Sequence, residues 1–268
     1  QQYEQALTSF KEFVGKAANN DSRLPDAAIR LGDCYYTRKA NGEALLSYRK
    51  AIQLGTLDAD YVHLQQGIIH TMEGRYTDAA SELDIVAATR GSRYAEEAMF
   101  KRGQLDFEQS NYAGAVTRFT SLITTAKSSR WVPYAYTRRA AANYNLKKYD
   151  ATANDYIEVL EKYPTHPASQ DILLPLQEAL NLAKRNGEFD KYLAQFKAIN
   201  PDAAGIEVVE FEAAKNLYFS QSYTSAADKL GAYAMNYPES PRRMEARYYQ
   251  AESYYRLKEF AKALELYN

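Results

Sequence analysis

The side chains that could do chemistry are few. Three histidines (His63, His70 and His166) and one cysteine (Cys34) are the only imidazole and thiol ligands the chain could offer zinc. A structural zinc site takes four ligands at short, characteristic spacings, and His63 and His70, seven residues apart, form no HExxH pair. Cys34 can close no internal disulfide, and its setting in Gly32-Asp33-Cys34-Tyr35 predicts a small buried hydrophobe, not a nucleophile. Carboxylates such as Glu96 and Glu97, or Asp58 and Asp60, fall near helix starts, where negative charge is favoured, so they read as caps and solvated faces. Neither GxxxxGKS/T nor GxGxxG follows a strand. The expectation is therefore no catalytic residue, no cofactor, no metal and no enzyme activity within this chain. His70 is expected in a packing slot. The unusual number is tyrosine, 24 of 268 residues.

These residues need elements to carry them. With 46% apolar and 25% charged residues, the chain can bury a core and stay in solution. A formal charge of -1 leaves no basic excess to neutralise a phosphate backbone, so nucleic acid is not an expected partner. No run of about 18 apolar residues could span a bilayer, and the first residues lack the basic-then-apolar plan of a leader. Pro25, Pro133, Pro164, Pro167, Pro201, Pro238 and Pro241 fall between helix-like stretches, where a missing N–H costs nothing; Pro175 fits less well. Strand alternation and Asn-Gly or Asp-Gly hairpin turns are absent. The chain reads as all-α.

An internal repeat then sets the architecture. Small residues at Ala6, Ala44, Ala79, Ala115, Thr152, Ala226 and Ala263, with Tyr192 in the sixth place, recur every 34 to 40 residues. A second series precedes them by twelve: Gly32, Gly67, Gly103, Ala140, Leu180, Ala214 and Ala251. Two small series in lockstep predict paired helices in close approach. Leu31-Gly32 with Tyr35, then Ala44 and Tyr48, and again Gly103, Ala115 and Phe119, resemble the tetratricopeptide repeat family. The resemblance implies a right-handed α-α superhelix of about seven helical hairpins after a leading half hairpin, one solenoid over residues 1–268. The family's first-helix tyrosine is replaced by His70, Asp106, Asn143 and Ala183 in middle repeats. The chain opens on a second helix, Tyr3 to about Lys16, and stops at Asn268 within another, which reads as a piece of a longer array whose open ends could self-associate end to end.

The fifth hairpin breaks the pattern. Leu180 and Tyr192 stand where neighbours carry small residues, which predicts a wider helix separation and a longer first helix with Pro175 near its start. Elsewhere the first helices are expected to line a concave groove, as the resemblance implies. Side chains one turn past the packed small residue are Tyr36, Thr71, Phe107, Tyr144, Lys184, Tyr218 and Tyr255. The aromatic members could bury enough area to anchor a partner, or could pack between hairpins. Gln104, Lys215, Glu252 and Arg256 add mixed polarity. The family's carboxylate clamp places asparagine just after the small residue, and only Asn181 satisfies this. Trp131, in the seam from Ser128 to Pro133, is expected to cover a helix joint.

Asn236-Tyr237-Pro238-Glu239-Ser240-Pro241, echoed by Lys162-Tyr163-Pro164-Thr165-His166-Pro167, looks like the repeat type of bacterial cell-envelope proteins, including TolA-binding and outer-membrane assembly proteins. That resemblance implies a scaffold docking an extended peptide or helix, on the periplasmic side of an envelope, without inserting into the membrane. The alternatives are a glycan or peptidoglycan binder, a regulatory arm of an enzyme whose catalytic domain lies outside this chain, and a cytoplasmic location.

Overall fold

A computed structural model describes residues 2–18, 20–201, 203 and 205–267. Among them are 15 α-helices, two short 3-10 turns and no strand. Contacts divide the chain into two compact units, Gln1–Leu146 and Lys147–Asn268.

The first unit holds α1 (Gln2–Lys16), α2 (Leu24–Thr37), α3 (Asn41–Gln53), α4 (Ala59–Met72), α5 (Tyr76–Ala88), α6 (Ala95–Glu108), α7 (Tyr112–Thr125) and α8 (Val132–Asn145). Helices α2/α3, α4/α5 and α6/α7 form antiparallel hairpins, and α1 packs on α2. Glycine sets their closeness. A Cβ built on Gly32 would lie 2.6 Å from the Tyr48 ring, one on Gly103 2.6 Å from Phe119, and one on Gly67 2.9 Å from Leu83. Each glycine therefore faces the large residue sixteen positions on, and Gly67 also the Ala79 carbonyl at 3.5 Å. Ala44, Ala79 and Ala115 are fully buried beside these contacts. Pro25 and Pro133 stand in the first turns of α2 and α8, where an N–H would have no helical partner. Trp131 precedes α8 and stacks on Phe100 of α6 at 4.9 Å and 24°, covering the joint as expected. Cys34 and His70 are buried, as expected.

The second unit holds α9 (Tyr149–Lys162), α10 (Leu173–Leu182), α11 (Phe189–Ile199), α12 (Ile206–Phe219), α13 (Tyr223–Asn236), α14 (Arg243–Arg256) and α15 (Phe260–Tyr267). Tyrosine and carboxylate pairs close its joints. The Tyr237 hydroxyl donates to Glu210 at 2.7 Å, that of Tyr267 to Glu252 at 2.5 Å, and that of Tyr233 to Glu207. Burial and the neighbouring carboxylates push the Tyr237 and Tyr267 hydroxyls up to about 12. In the first unit Asp33 accepts from both Tyr48 and Tyr61 at 2.8 Å. Much of the tyrosine surplus is thus structural.

Turn geometry corrects the register of the fifth hairpin. One residue of positive φ marks the turns at Lys39, Gly74, Ser110, Lys147, Lys184, Gln221 and Lys258, spaced by 35 to 37 residues. The residue after it donates back to the carbonyl five positions earlier, as in Ala40 to Tyr35 (2.9 Å) and Arg185 to Leu180 (2.8 Å), a Schellman closure. Counting back seven from Lys184 gives Gln177 where other hairpins have Gly or Ala. Leu180, not Ala183, fills the slot of Tyr35. Phe189, not Tyr192, matches the series of Ala44, Ala79 and Ala115, and Lys184 lies in the turn beyond α10 instead of on a first helix. The expected stretch in spacing disappears. The expected longer first helix is also overturned: α10 has 10 residues against 14 in α12, and Pro175 sits comfortably at its third position. Gln177 does not push its partner helix alone. Its amide is buried, donating to the Ala213 carbonyl at 3.0 Å and accepting from Asn216 at 3.1 Å, so it bonds α10 to α12.

Candidate docking surface

With the register fixed, the first-helix surface can be built residue by residue. At 3.6 residues per turn, the fourth residue after the packed position returns to within about 40° of the hairpin seam, whereas the fifth points about 140° away. Burial follows this geometry. Tyr36, Thr71, Phe107, Tyr144, Asn181 and Tyr218, all fourth residues, are half-buried, and Tyr255 is 53% exposed. The fifth residues, Thr37, Met72, Glu108, Asn145, Leu182, Phe219 and Arg256, are all exposed, and each is the last residue of its helix.

The half-buried aromatic rings have defined work. Phe107 meets Tyr112 edge-on at 5.3 Å, Tyr218 meets Tyr223 at 5.7 Å, and Tyr255 meets Phe260 at 5.5 Å. In each pair the second ring is the first residue of the following helix, so the aromatic closes its own hairpin. Tyr36 reaches the next first helix instead, its hydroxyl 3.8 Å from the Met72 sulfur. Tyr218 also packs on Phe219 and Tyr249, and its hydroxyl donates to Glu252 at 3.3 Å. Its hydroxyl is raised, chiefly by burial.

The polar side chains of the surface are half-buried or paired. Gln104 is half-buried. Lys215 lies 3.0 Å from Glu212 and 3.5 Å from Glu245, with its ammonium over the Phe211 ring. Arg256 is exposed beside the Tyr218 hydroxyl, which raises its pKa. The place of the carboxylate-clamp asparagine is also moved by the corrected register. It falls on Glu178, and Asn181 joins the fourth-residue row.

Arg256 apart, sequence spacing missed the outer row. Met72 is 62%, Leu182 44% and Phe219 61% exposed, although all three are large and apolar. In the second unit Leu182 and Phe219 line one cleft of about 730 Å³ with Leu174, Pro175, Glu178, Asn181, Glu212, Asn216 and Ser220. A shift of one residue along the sequence would have found them. Among the described residues, no group of three His, Cys, Asp or Glu side chains is placed to hold a metal ion. Nor is any helix long and apolar enough to cross a membrane.

These hairpins have relatives. The C-terminal part of a repeat-containing protein from Cytophaga hutchinsonii superposes with a TM-score of 0.69 at 15% identity, covering 91% of this chain and 94% of that one. The family model for the tetratricopeptide repeat matches residues 1–61 and 211–268. Those stretches are tetratricopeptide repeats, and the fold of the chain is that of tetratricopeptide repeat proteins. Between the matched stretches the repeats diverge in sequence but keep the turn spacing. PilW, a widely conserved type IV pilus biogenesis factor, is similar with a TM-score of 0.55 at 16% identity, covering 77% of this chain and 90% of its own. YrrB, a repeat protein with an unusual peptide-binding site, is similar with a TM-score of 0.51 at 13% identity, covering 72% and 93%. No curated protein sequence matches the chain.

Proposed function

We propose that this chain is a non-enzymatic interaction scaffold that holds an extended peptide or a helix against the faces of its first helices. The observation that carries the reading is the outer row. A helix position aimed away from its seam is ordinarily polar, yet three of seven here are large apolar side chains left in solvent. The fourth-residue row, half-buried at Tyr36, Phe107, Tyr144 and Tyr218 and exposed at Tyr255, would form the wall behind them, and Gln104, Lys215 and Arg256 a polar margin. Residues 1–268 are read as one array, a reading supported by the constant turn spacing. YrrB, with its peptide-binding site, and PilW, a pilus biogenesis factor, share the fold and favour a docking role; a place in a bacterial envelope, on the periplasmic side, is the reading drawn from the Pro238 and Pro164 seams. A sugar-stacking ladder is less favoured, because Phe107, Tyr218 and Tyr255 each spend an edge contact on their own hairpin.

The test is capture from a bacterial envelope extract by the parent chain and by a Leu182→Asp, Phe219→Asp variant. Both positions are exposed, so circular dichroism should be unchanged. A partner held by the parent and lost by the variant is expected; identical capture by both would overturn the reading.

A further inference from the structure

The cleft between α13 and α14 gathers positive charge that the fold does not use. It encloses about 370 Å³, within the range of small-molecule sites, and Arg243, Arg247 and Gln250 of α14 line one side of it. The two arginines are four residues apart, so both guanidiniums stand on one face of the helix, where like charges repel. Among the described residues neither has an ion pair or a hydrogen bond, and Arg243 Nε is shut off from solvent without an acceptor. A buried donor in that state opposes folding. No carboxylate lines the cleft. The acids on the elements around it work elsewhere or stay outside the lining. Glu245 lies 3.5 Å from Lys215, Glu252 accepts from Tyr218 and Tyr267, and Glu259 pairs with Lys262 at 2.5 Å. Asp228 lines a different cleft of α13, and Glu239 and Glu265, next in sequence to Pro238 and Leu266, are not in the lining. Gly231 of α13 makes room for a third donor: a Cβ there would run into the amide nitrogen of Gln250, which has no hydrogen-bond partner among the described residues. Pro238 and Leu266 supply an apolar wall.

We infer that this cleft is a site for a small phosphate monoester, with inorganic phosphate as its minimal form. Two guanidiniums match a dianion in charge, whereas a monocarboxylate would leave one of them unneutralised. A tetrahedral phosphate offers oxygens to Arg243, Arg247 and Gln250 at once, through charge-assisted hydrogen bonds that guanidinium forms well. The ester's organic group then rests on Pro238 and Leu266. The recessed Nε of Arg243 suits a soluble ester and not a headgroup held at a flat lipid surface. This site is independent of the first-helix face and calls for no protein partner.

The test is calorimetric titration of the whole chain with phenyl phosphate, inorganic phosphate and malonate, at constant ionic strength and a pH of about 7.5, where a phosphate monoester is chiefly dianionic. One saturable site is expected for phenyl phosphate, with a Kd below about 1 mM, and weaker binding of inorganic phosphate. Neither arginine holds a partner in the fold, so Arg243→Gln and Arg247→Gln should keep their helicity. Each should weaken binding by about tenfold or more, the worth of one charged hydrogen bond. Arg49→Gln, at an exposed arginine of α3, should leave binding unchanged. No saturable binding of either phosphate compound, an equal loss with Arg49→Gln, or binding untouched by both cleft variants would overturn the site. Malonate bound as tightly as phenyl phosphate would overturn the assignment to phosphate. Phosphatidic acid vesicles that bind through Arg243 while phenyl phosphate does not would overturn the soluble ester.

Discussion

At the scale of single residues, the fold depends on missing side chains as much as on present ones. Gly103 has room for no Cβ, because Phe119 is fully buried against it. Gly103→Ala should therefore cost about 1 to 3 kcal/mol in urea unfolding. Gly42→Ala, on a helix position with no atom within 4 Å, should cost nothing or add stability up to about 1 kcal/mol. Equal effects would contradict the packing account. His70 gives a pH test. Burial first, then Arg75, holds its imidazole below the ordinary histidine range against the opposing pull of Asp78, Glu82 and Glu73. A depressed histidine pKa means that the unfolded chain binds the proton more readily. Stability should be full above about pH 6.5 and fall as pH drops below it. In His70→Asn, which copies Asn143 in the equivalent slot, that part of the pH dependence of the melting temperature should vanish.

At the scale of the element, the hairpin obeys a turn more strictly than it obeys its small residues. Restoring a small residue at the fifth hairpin by Gln177→Ala would look favourable from the repeat pattern. The structure predicts the reverse. The substitution strips partners from the buried Ala213 carbonyl and the Asn216 amide, at a cost of about 1 to 3 kcal/mol read by urea unfolding. An unchanged or raised stability would contradict the bond between α10 and α12. This hairpin also marks how far the sequence could be read. All-helical class, seven periods and the close helix approach at Gly32, Gly67 and Gly103 were legible because small residues recur there at fixed spacing; the large partners Tyr48, Leu83 and Phe119 came only from the structure. The fifth register was not, since Leu180 lies only three residues from Gln177 and glutamine mimics no small residue. The outer row was equally hidden. Spacing names Tyr218 and Phe219 alike, and only the direction of the helix seam separates a half-buried ring from an exposed one.

At the scale of the whole molecule, the chemistry is that of a surface. The aromatic side chains that look like a ladder in the sequence are largely spent on their own turns and on a carboxylate, as with Phe107 on Tyr112, Tyr255 on Phe260, and Tyr218 on Tyr223 and Glu252. At the ends of the first helices, Met72, Leu182 and Phe219 keep exposed apolar side chains. Exposed apolar side chains also occur on second helices, Met235 of α13 being 77% exposed, so exposure alone does not define the site. The central claim is that the first-helix face is the one used. Its most direct test is a photoreactive benzoylphenylalanine placed at Phe219 in one sample and at Met235 in another, irradiated in a bacterial envelope extract. A discrete crosslinked partner from position 219 and none from position 235 is the predicted result. Crosslinking of the same partner from both positions, or from 235 alone, would contradict it.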